Sequence, residues 1–416
     1  MFSLLHNMLD QMIKTGSLKL TDAQGQSHRY GDGTGEDVHV LIKDSSNYWK
    51  LAYHPDLYMG EAYMDGSLIM EKGTVYDLLQ LVGSQMRYAD RSSWRIPDKI
   101  SYYKRILSSL NPVERARKNV AHHYDLSGEL YDLFLDRDRQ YSCAYFESPD
   151  QSLDNAQLAK KRHIAAKLAL EPGMRVLDIG SGWGGLALYL AEMCDVDVVG
   201  VTLSEEQHKI SRQRVNNRGL EGRIDIRLRD YRLLDEKFDR IVSVGMFEHV
   251  GLSHFGEFFG KVNDRLATDG AALLHTIGRP HGPAATSRWI QKYIFPGGYI
   301  PSLSEMQPAI ERSGLYVCDV EVLRLHYAET LKAWRTRFLD HWDKAAKIYD
   351  ERFCRMWEFY LAASEMAFRQ EGLNIFQVQV ATHQEVLPLT RDYMIEAEER
   401  LRTGDQKSRR PTSVSR

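Results

Sequence analysis

This 416-residue chain has few cysteines and a small net charge, and each of these features argues against a class of protein. The four cysteines, Cys143, Cys194, Cys318 and Cys354, are scattered without CxxC spacing. They offer no disulfide framework and no zinc motif, so we expect a reduced, cytoplasmic protein with no metal site. A formal charge of −3 gives no whole-chain sign of a nucleic-acid partner.

Long apolar runs are also missing. No run approaches the roughly 20 residues that a membrane-spanning helix needs. Residues 1–20 lack the apolar stretch and small-residue cleavage site of a signal peptide. Hydrophobic residues make up 43% of the chain and charged residues 27%, which is typical of a globular domain in water. The length exceeds that of a usual single domain, so two folded units are expected.

The proposed division of the chain follows its turn-forming residues. Residues 1–110 mix short apolar runs with glycine turns, which predicts a small α/β or mostly β unit with closing helices. The proline of Asn111-Pro112 favours a boundary there, so residues 111–400 form the larger unit. Residues 403–416 are polar and basic, and we expect them to be a disordered tail.

Strands alternate with helices in the first part of the larger unit. Strands are predicted at residues 174–179, 196–201, 224–228, 241–244 and 271–277. A helix capped by Ser152 precedes them, and Ser204 and Gln207 have capping-box spacing for another. This alternation predicts a parallel, doubly wound α/β sheet with a smaller N-terminal domain. Residues 330–369 are predicted to be helical and are rich in aromatic side chains.

A glycine-rich turn follows the first of these strands, in the run VLDIGSGWGG at residues 176–185. Glycine lets the backbone approach a ligand closely at the carboxyl edge of such a sheet. The spacing of Gly180, Gly182 and Gly185 also satisfies the dinucleotide fingerprint, but residues 200–204 lack the acid that a NAD site requires. With Asp178 before the glycines, the run resembles the first motif of class I methyltransferases, which have a Rossmann-like sheet.

Many further short motifs share one order with a known family. Across nearly its whole length the chain resembles the bacterial cyclopropane-fatty-acyl-phospholipid synthases, and over the larger unit it is similar to the mycolic acid cyclopropane synthases. The motifs are GEAYMDG at 60–66, HYDLS at 123–127, QYSCAYF at 140–146, VLDIGSGWGGLA at 176–187, VGVTLS at 199–204, RDYR at 229–232, VGMFEHVG at 244–251, LHTIG at 274–278, YIFPGG at 293–298, YAETL at 327–331 and FQV at 376–378. Ser181 departs from the cysteine common in the family, a change between two small side chains.

This resemblance implies a site for S-adenosylmethionine. Its residues would be Tyr141, Ser142, Asp178, Gly180, Gly182, Thr202, Leu203, Gln207, Asp230 and Tyr231. The glycine turn would hold the methionine part, Thr202 and Gln207 the ribose, and Asp230 with Tyr231 the adenine. Read alone, Thr202 is as readily a plain strand residue, and Asp230 a turn former.

The resemblance also implies a bicarbonate ion beside the cofactor. Four catalytic residues and one backbone group would hold it: Cys143, Glu248, His275, Tyr327 and Ile277. Glu248 and His275 belong to neighbouring strands that end at the same edge of the sheet, so their side chains can converge. Taken alone, His275 is more often a core histidine and Cys143 a small buried apolar residue.

The function implied is methylene transfer from S-adenosylmethionine to the cis double bond of an unsaturated phospholipid acyl chain, giving a cyclopropane ring. Residues 111–400 would be the catalytic domain, with a C-terminal helical part that binds lipid. Two alternatives stay open: a lipid C-methyltransferase that leaves a methyl or methylene branch, and a catalytically silent lipid-binding relative. We also expect a homodimer bound peripherally at the inner face of the membrane. The aromatic side chains of residues 330–369 would serve first as core and second as an acyl tunnel.

Overall fold

The structure, a computed structural model, describes residues 2–88, 127–282, 284 and 286–408. The predicted boundary at Asn111-Pro112 and all but the last residue of the HYDLS motif lie outside these ranges. Within them, no helix has both the length and the apolar character that crossing a bilayer demands.

The N-terminal unit is a four-stranded sheet covered by helices. Its elements are α1 (Phe2–Met12), β1 (Ser17–Thr21), β2 (Ser27–Tyr30), β3 (Asp37–Ile42), α2 (Asn47–Tyr53), α3 (Pro55–Met64), β4 (Leu68–Lys72) and α4 (Val75–Tyr88). The strand order is β2-β1-β3-β4, with β1 and β3 parallel. Asp22 shapes the β1–β2 turn, because its carboxylate accepts the backbone N–H groups of Gln24 and Gln26. The small unit predicted for this part of the chain thus combines a sheet with covering helices, as an α/β unit does.

The larger unit is built on a seven-stranded sheet of order β10-β11-β9-β8-β5-β6-β7. Its strands are β5 (Arg175–Ile179), β6 (Asp197–Thr202), β7 (Ile224–Leu228), β8 (Phe238–Val244), β9 (Leu266–Gly278), β10 (Tyr316–Leu323) and β11 (Asn374–Ala381). The five from β5 to β9 are mutually parallel, and β11 runs antiparallel to both β9 and β10. The predicted doubly wound α/β sheet is confirmed.

Helices cover both faces of this sheet and extend beyond its edge. They are α5 (Gly128–Phe134), α6 (Leu153–Lys167), α7 (Gly185–Cys194), α8 (Glu205–Asn217), α9 (Phe255–Arg265), α10 (Arg288–Tyr293), α11 (Leu303–Arg312), α12 (His326–Asp340), α13 (Trp342–Ile348), α14 (Glu351–Met366) and α15 (Asp392–Ser408). As predicted, Ser152 caps α6: its hydroxyl accepts the backbone N–H of Asn155. The single aromatic helical stretch predicted at 330–369 is three helices, α12 to α14, followed by a π-helical turn at 367–371.

The predicted disordered tail at 403–416 is wrong for its first part. Helix α15 continues through Ser408, and Asp405 on it is buried against α6, where it pairs with Arg162 at 2.7 Å. Polar composition suggested disorder, but a carboxylate with a buried guanidinium partner is held in place by the fold. Residues 409–416 lie outside the described part of the chain.

One hydrophobic core joins the N-terminal unit to helices α10 and α12–α14. At the contact, Gly60 on α3 leaves no room for a side chain, since an added Cβ would stand 2.4 Å from Trp289 Nε1. The Tyr63 hydroxyl donates to Glu358 Oε2 on α14 at 2.6 Å. Trp334, Phe338 and seven further aromatic residues of the stretch 330–369 belong to this cluster or pack against it. The first interpretation of the aromatic stretch, as core, is therefore confirmed.

Candidate active site

A pocket lies at the carboxyl ends of β5, β6 and β7, where a doubly wound sheet is expected to bind its ligand. Every residue predicted to contact the cofactor lines it: Tyr141, Ser142, Asp178, Gly180, Gly182, Thr202, Leu203, Gln207, Asp230 and Tyr231. The structure thus gathers into one cavity a set that spans about 90 residues of sequence.

The glycine turn forms one wall of this pocket. Gly180 has a φ of +86° and Gly182 a φ of +54°, a region that residues with a side chain rarely adopt. A Cβ at Gly180 would stand 2.9 Å from Cβ of Met246, whereas one at Gly182 would meet nothing within 4 Å. Gly182 therefore borders open space, which leaves its backbone accessible to a ligand at the start of α7.

A hydrogen-bond network follows β6. The Thr202 hydroxyl donates to Gln207 Oε1 at 2.9 Å, and the Ser204 hydroxyl accepts the backbone N–H of Gln207 at 3.2 Å. Ser204 thus caps the helix at the backbone N–H of Gln207, as predicted, and the side-chain oxygen of Gln207 accepts the hydrogen bond from Thr202. The network fixes the orientation of two polar side chains in the pocket wall, with Leu203 between them in the chain.

Asp230 begins a short 3₁₀ turn after β7. Its carboxylate accepts the backbone N–H of Arg232 at 2.9 Å and is paired with the guanidinium of the same residue at 2.8 Å. The turn-forming interpretation of Asp230 is therefore realised. Contact with adenine stays a prediction. It is compatible with this turn, because each carboxylate oxygen can accept more than one hydrogen bond. Tyr231 beside it packs edge-on against Phe258.

A buried lysine in the pocket was not anticipated from the sequence. Lys160 on α6 is 1% exposed, and its Nζ donates to Gln140 Oε1 at 2.7 Å and to the Ser142 hydroxyl at 2.8 Å. Burial lowers the pKa of Lys160 to about 8. Burial raises the pKa of nearby Asp178 to about 7, although the charge of Lys160 opposes this shift. In the sequence, Lys160–His163 are four consecutive basic residues, which is typical of a solvent-exposed helix face. The pattern therefore gave no indication that Lys160 is buried.

Glu248 lies in a 3₁₀ turn after β8 and reaches across to β9. Its Oε1 accepts the backbone N–H of Ile277 at 2.6 Å. Its Oε2 makes no hydrogen bond of normal geometry within the described ranges of the chain, although the Thr276 side chain lies near enough to the carboxyl group to favour its ionised form. Burial raises the pKa of Glu248. The structure therefore brings together two of the five predicted bicarbonate groups by direct contact.

His275 occupies β9 two residues before Ile277, so both side chains stand on the same face of the strand. The ring is 1% exposed, and burial holds the pKa of His275 well below its usual range, so the imidazole is neutral. Nδ1 is 3.1 Å from Nε2 of Gln377 on β11. Nε2 has no hydrogen-bond partner among the residues that the structure describes.

The segment that contains Cys143 is hydrogen-bonded to the helix that carries Tyr327, through Thr330. The backbone N–H of Ala144, next to Cys143, donates to the Thr330 hydroxyl at 3.0 Å, and Thr330 is one turn beyond Tyr327 on α12. Burial raises the pKa of the Cys143 thiol, so the group is a neutral thiol. The charge of Lys160 acts on both Cys143 and His275 and lowers the pKa of each, against the effect of burial at Cys143 and along with it at His275.

Comparison with known proteins agrees with this geometry. A family described as mycolic acid cyclopropane synthetase matches residues 112–378, and a domain of unknown function matches residues 4–91. The cyclopropane-fatty-acyl-phospholipid synthase of Escherichia coli K12 is 40% identical, over 82% of this chain and 86% of its own length. Tuberculostearic acid methyltransferase UfaA1 of Mycobacterium tuberculosis is 36% identical, over 79% of each chain.

A solved structure is also similar. The mycolic acid cyclopropane synthase CmaA1, crystallised in complex with SAH and CTAB, superposes with a TM-score of 0.62 at 36% identity. The match covers 65% of this chain and 99% of that one. Together with the pocket at the glycine turn, these matches identify the sheet as a class I methyltransferase fold. The chain belongs to the mycolic acid cyclopropane synthetase family and is an S-adenosylmethionine-dependent methyltransferase.

Proposed function

We propose that the protein transfers a methylene group from S-adenosylmethionine to the cis double bond of an unsaturated phospholipid acyl chain and closes a cyclopropane ring. One observation carries the proposal beyond methyl transfer. Beside the cofactor pocket, Glu248 Oε2 and His275 Nε2 are buried polar atoms without a partner in the described part of the chain. Buried polar groups are normally satisfied, so such a pair indicates a ligand.

The chemistry explains why a methyltransferase would need these groups. An alkene is a weak nucleophile, and the sulfonium methyl of S-adenosylmethionine is a strong electrophile. Transfer to one alkene carbon leaves a positive charge on the other, which water would trap. The site must therefore be closed to solvent. Stacked and edge-on aromatic rings of Tyr141, Trp334 and Tyr327, all in contact with the shared core, make this side of the site apolar.

Ring closure requires loss of a proton from the transferred methyl group. Glu248 itself is held by the Ile277 N–H, so only one of its oxygens faces the site. His275 and Glu248 are both at least nine-tenths buried. One acceptor oxygen and one ring nitrogen fit an ion that carries both a hydroxyl and negatively charged oxygens. Bicarbonate is such an ion, and when bound it would supply the base.

The residues that would hold bicarbonate are the five predicted from the sequence: Cys143, Glu248, His275, Ile277 and Tyr327. Glu248 Oε2 would accept the hydroxyl of the ion, and the Tyr327 hydroxyl would donate to one of its oxygens. The neutral Cys143 thiol, which donates to the Ala144 carbonyl at 3.2 Å, would turn toward the ion to donate to it. Lys160 adds positive charge within range of Cys143 and His275. This charge favours an anion at a site that already contains a carboxyl group.

A second product is favoured by one of the relatives. UfaA1 is named a tuberculostearic acid methyltransferase. From the same cation, a 1,2-hydride shift followed by loss of a proton from the methyl group would give a methylene branch, and a methyl branch would further require an external hydride donor and a proton. The experiment is incubation of the purified protein with S-adenosylmethionine and vesicles of unsaturated phospholipid, followed by structural analysis of the acyl chains. A cyclopropane supports the proposal, and a methyl or methylene branch replaces it by the second candidate. Cofactor binding without any product would indicate a silent lipid-binding relative.

We also propose that the protein works at the inner face of the membrane as a peripheral homodimer. The substrate chemistry supports this location, because the acyl chain must be reached from the bilayer surface. Of the five basic residues on α12 and α14, four are paired within the fold: Arg335 with Glu365, Arg337 with Asp154, Arg352 with Asp65 and Arg355 with Glu351. Headgroup attraction therefore has to come largely from other surfaces. Vesicle co-sedimentation at increasing salt and light scattering in solution test the two parts separately.

A further inference from the structure

A ladder of polar residues crosses the antiparallel edge of the large sheet. His275 on β9 is directly opposite Gln377 on β11, and Gln377 is directly opposite Glu321 on β10. Gln377 is fully buried. Cross-strand neighbours in this arrangement have side chains close enough to bond. The active-site histidine is therefore the inner end of a side-chain row that runs toward the edge of the sheet.

Lys167, at the end of α6, lies across this row. Its Nζ donates to Gln377 Oε1 at 2.7 Å and contacts the carboxylate of Glu321. A lysine ammonium has donors only, so the side of the Gln377 amide facing Lys167 must be the oxygen. The other side of the amide, 3.1 Å from His275 Nδ1, is then the NH₂ group. Lys167 thus fixes the orientation of the Gln377 amide, whose oxygen and nitrogen could otherwise be exchanged.

The orientation of Gln377 determines where His275 carries its proton. An NH₂ group facing Nδ1 requires Nδ1 to be the acceptor, so the proton of a neutral ring belongs to Nε2. Nε2 is the ring atom that has no partner in the described ranges. The ring therefore presents an N–H donor, not an acceptor, at the nitrogen that faces away from Gln377.

We propose that Glu321, Lys167 and Gln377 are positioning residues that hold His275 as its Nε2–H tautomer, so that the ring donates a hydrogen bond to an oxyanion in the active site. The identity of that oxyanion as bicarbonate rests on the proposed function, but the tautomer does not. At metal sites, groups that hydrogen-bond to the second ring nitrogen of a histidine fix its tautomer in the same way.

The outer end of the row is anchored by further ion pairs. Glu321 contacts His163 Nε2 at 2.7 Å, and His163 Nδ1 is 2.5 Å from Glu398 on α15. The hydrogen bonds to His163 and Lys167 overcome burial and hold the pKa of Glu321 at about 2. Glu321 is thus charged when Lys167 is, which compensates the burial of a lysine that is only 3% exposed. Lys167 has a fixed partner on each side and cannot turn away from Gln377.

The test reads the tautomer directly. Protein labelled with ¹⁵N in its histidine rings is analysed by long-range ¹H–¹⁵N correlation, with His275→Gln used to assign the signal. The wild-type ring is expected to carry its proton on Nε2. Gln377→Glu offers a carboxylate to Nδ1 and keeps a partner for Lys167, so the proton should move to Nδ1. We expect kcat to fall about 10- to 100-fold in this variant while KM for S-adenosylmethionine is unchanged.

The matched control is Gln379→Glu. Gln379 is also buried on β11, but it bonds the backbone oxygen of Lys167 and the Tyr393 hydroxyl, away from His275. This variant adds the same buried carboxyl group and should leave the His275 tautomer unchanged. Lys167→Met provides a second route, because it frees the Gln377 amide to flip and should give a mixture of tautomers.

A wild-type ring protonated on Nδ1, or a Gln377→Glu ring that keeps the Nε2 proton, overturns the proposal. If Gln377→Glu does not fold, the wild-type tautomer and the Lys167→Met spectrum decide the question. A wild-type Nε2–H ring in an enzyme whose rate is independent of bicarbonate would remove bicarbonate from the proposed function and leave the positioning role intact.

Discussion

The active site has two halves that are assembled in different ways. The cofactor half, at the ends of β5 to β7, is made of short contiguous runs, most of which follow a strand, whereas Tyr141 and Ser142 come from the segment between α5 and α6. In the proposed catalytic half, contacts run from β9 to the turn after β8 and to β11, and from Ala144 to α12. Its residues are Cys143, Glu248, His275, Ile277 and Tyr327. A ligand held by backbone turns needs only local sequence, whereas proton chemistry here needs long-range pairing. The two halves should therefore respond differently to substitution.

Glu248→Gln should show the largest effect, and only on chemistry. The amide oxygen can still accept the Ile277 N–H, but the free Oε2 acceptor becomes a donor. We expect kcat for ring formation to fall about 100- to 10,000-fold, the range for loss of general-base catalysis, with partial recovery on added bicarbonate. Calorimetry should show S-adenosylmethionine affinity within a few-fold of wild type. Full activity in this variant and in Tyr327→Phe would contradict a bicarbonate base.

Asp405→Ala tests how much the ion pair between α15 and α6 stabilises the fold. This variant leaves the buried guanidinium of Arg162 without one of its two carboxylate partners, Asp405 and Glu147. Breaking a buried pair costs about 3–5 kcal/mol, so the midpoint of urea unfolding should fall clearly. Glu396→Ala, on an exposed position of the same helix, is the control and should change stability by less than about 0.5 kcal/mol. Equal stability of the two variants would show that the pair of Asp405 with Arg162 does not stabilise the fold.

Gly182→Val should damage the cofactor half alone. The valine would enter the open space beside the turn and adopt a φ of +54°, at which β-branched residues are strained. We predict at least a 100-fold loss of S-adenosylmethionine affinity by calorimetry. Gly219→Val is matched, because Gly219 has a φ of +64° and equally open space but is outside the pocket. If both variants bind the cofactor like wild type, the turn does not hold it.

The smallest expected effect is a pH dependence of stability without cofactor. The pKa of Asp178 is raised from 3.8 to about 7, so the folded state keeps a proton that the unfolded state has lost. Stability from this group is present below pH 3.8 and is lost as pH rises through 7. Between pH 5 and pH 7 the wild type should lose about 2 kcal/mol more than Asp178→Asn, at 1.36 kcal/mol per unit. Parallel unfolding curves for the two proteins would mean that Asp178 is ionised throughout.

The same division explains how far the sequence could be interpreted. The strands β5 to β9 followed from apolar runs, and ten residues of the cofactor pocket lining followed from motifs that resemble those of a known family. Strands β10 and β11 were not predicted, because β11 carries buried Gln377 and Gln379 and pairs with β9 about 100 residues away. Lys160 and Asp405 were missed for a related reason. Charged residues are ordinarily at the surface, and only the tertiary partner of each shows that it is buried.

The core shared by the N-terminal unit and the C-terminal helices has a consequence for synthesis on the ribosome. Helix α3 leaves the ribosome early, but Glu358, the partner of Tyr63, follows 295 residues later. At about 5–20 residues per second, that delay is about 15 to 60 s. For most of this interval, until Trp289 itself has been synthesised, the apolar face that will receive it has no cover. A nascent chain of this protein is therefore expected to need protection by a chaperone, for longer than the folding of either sheet would require.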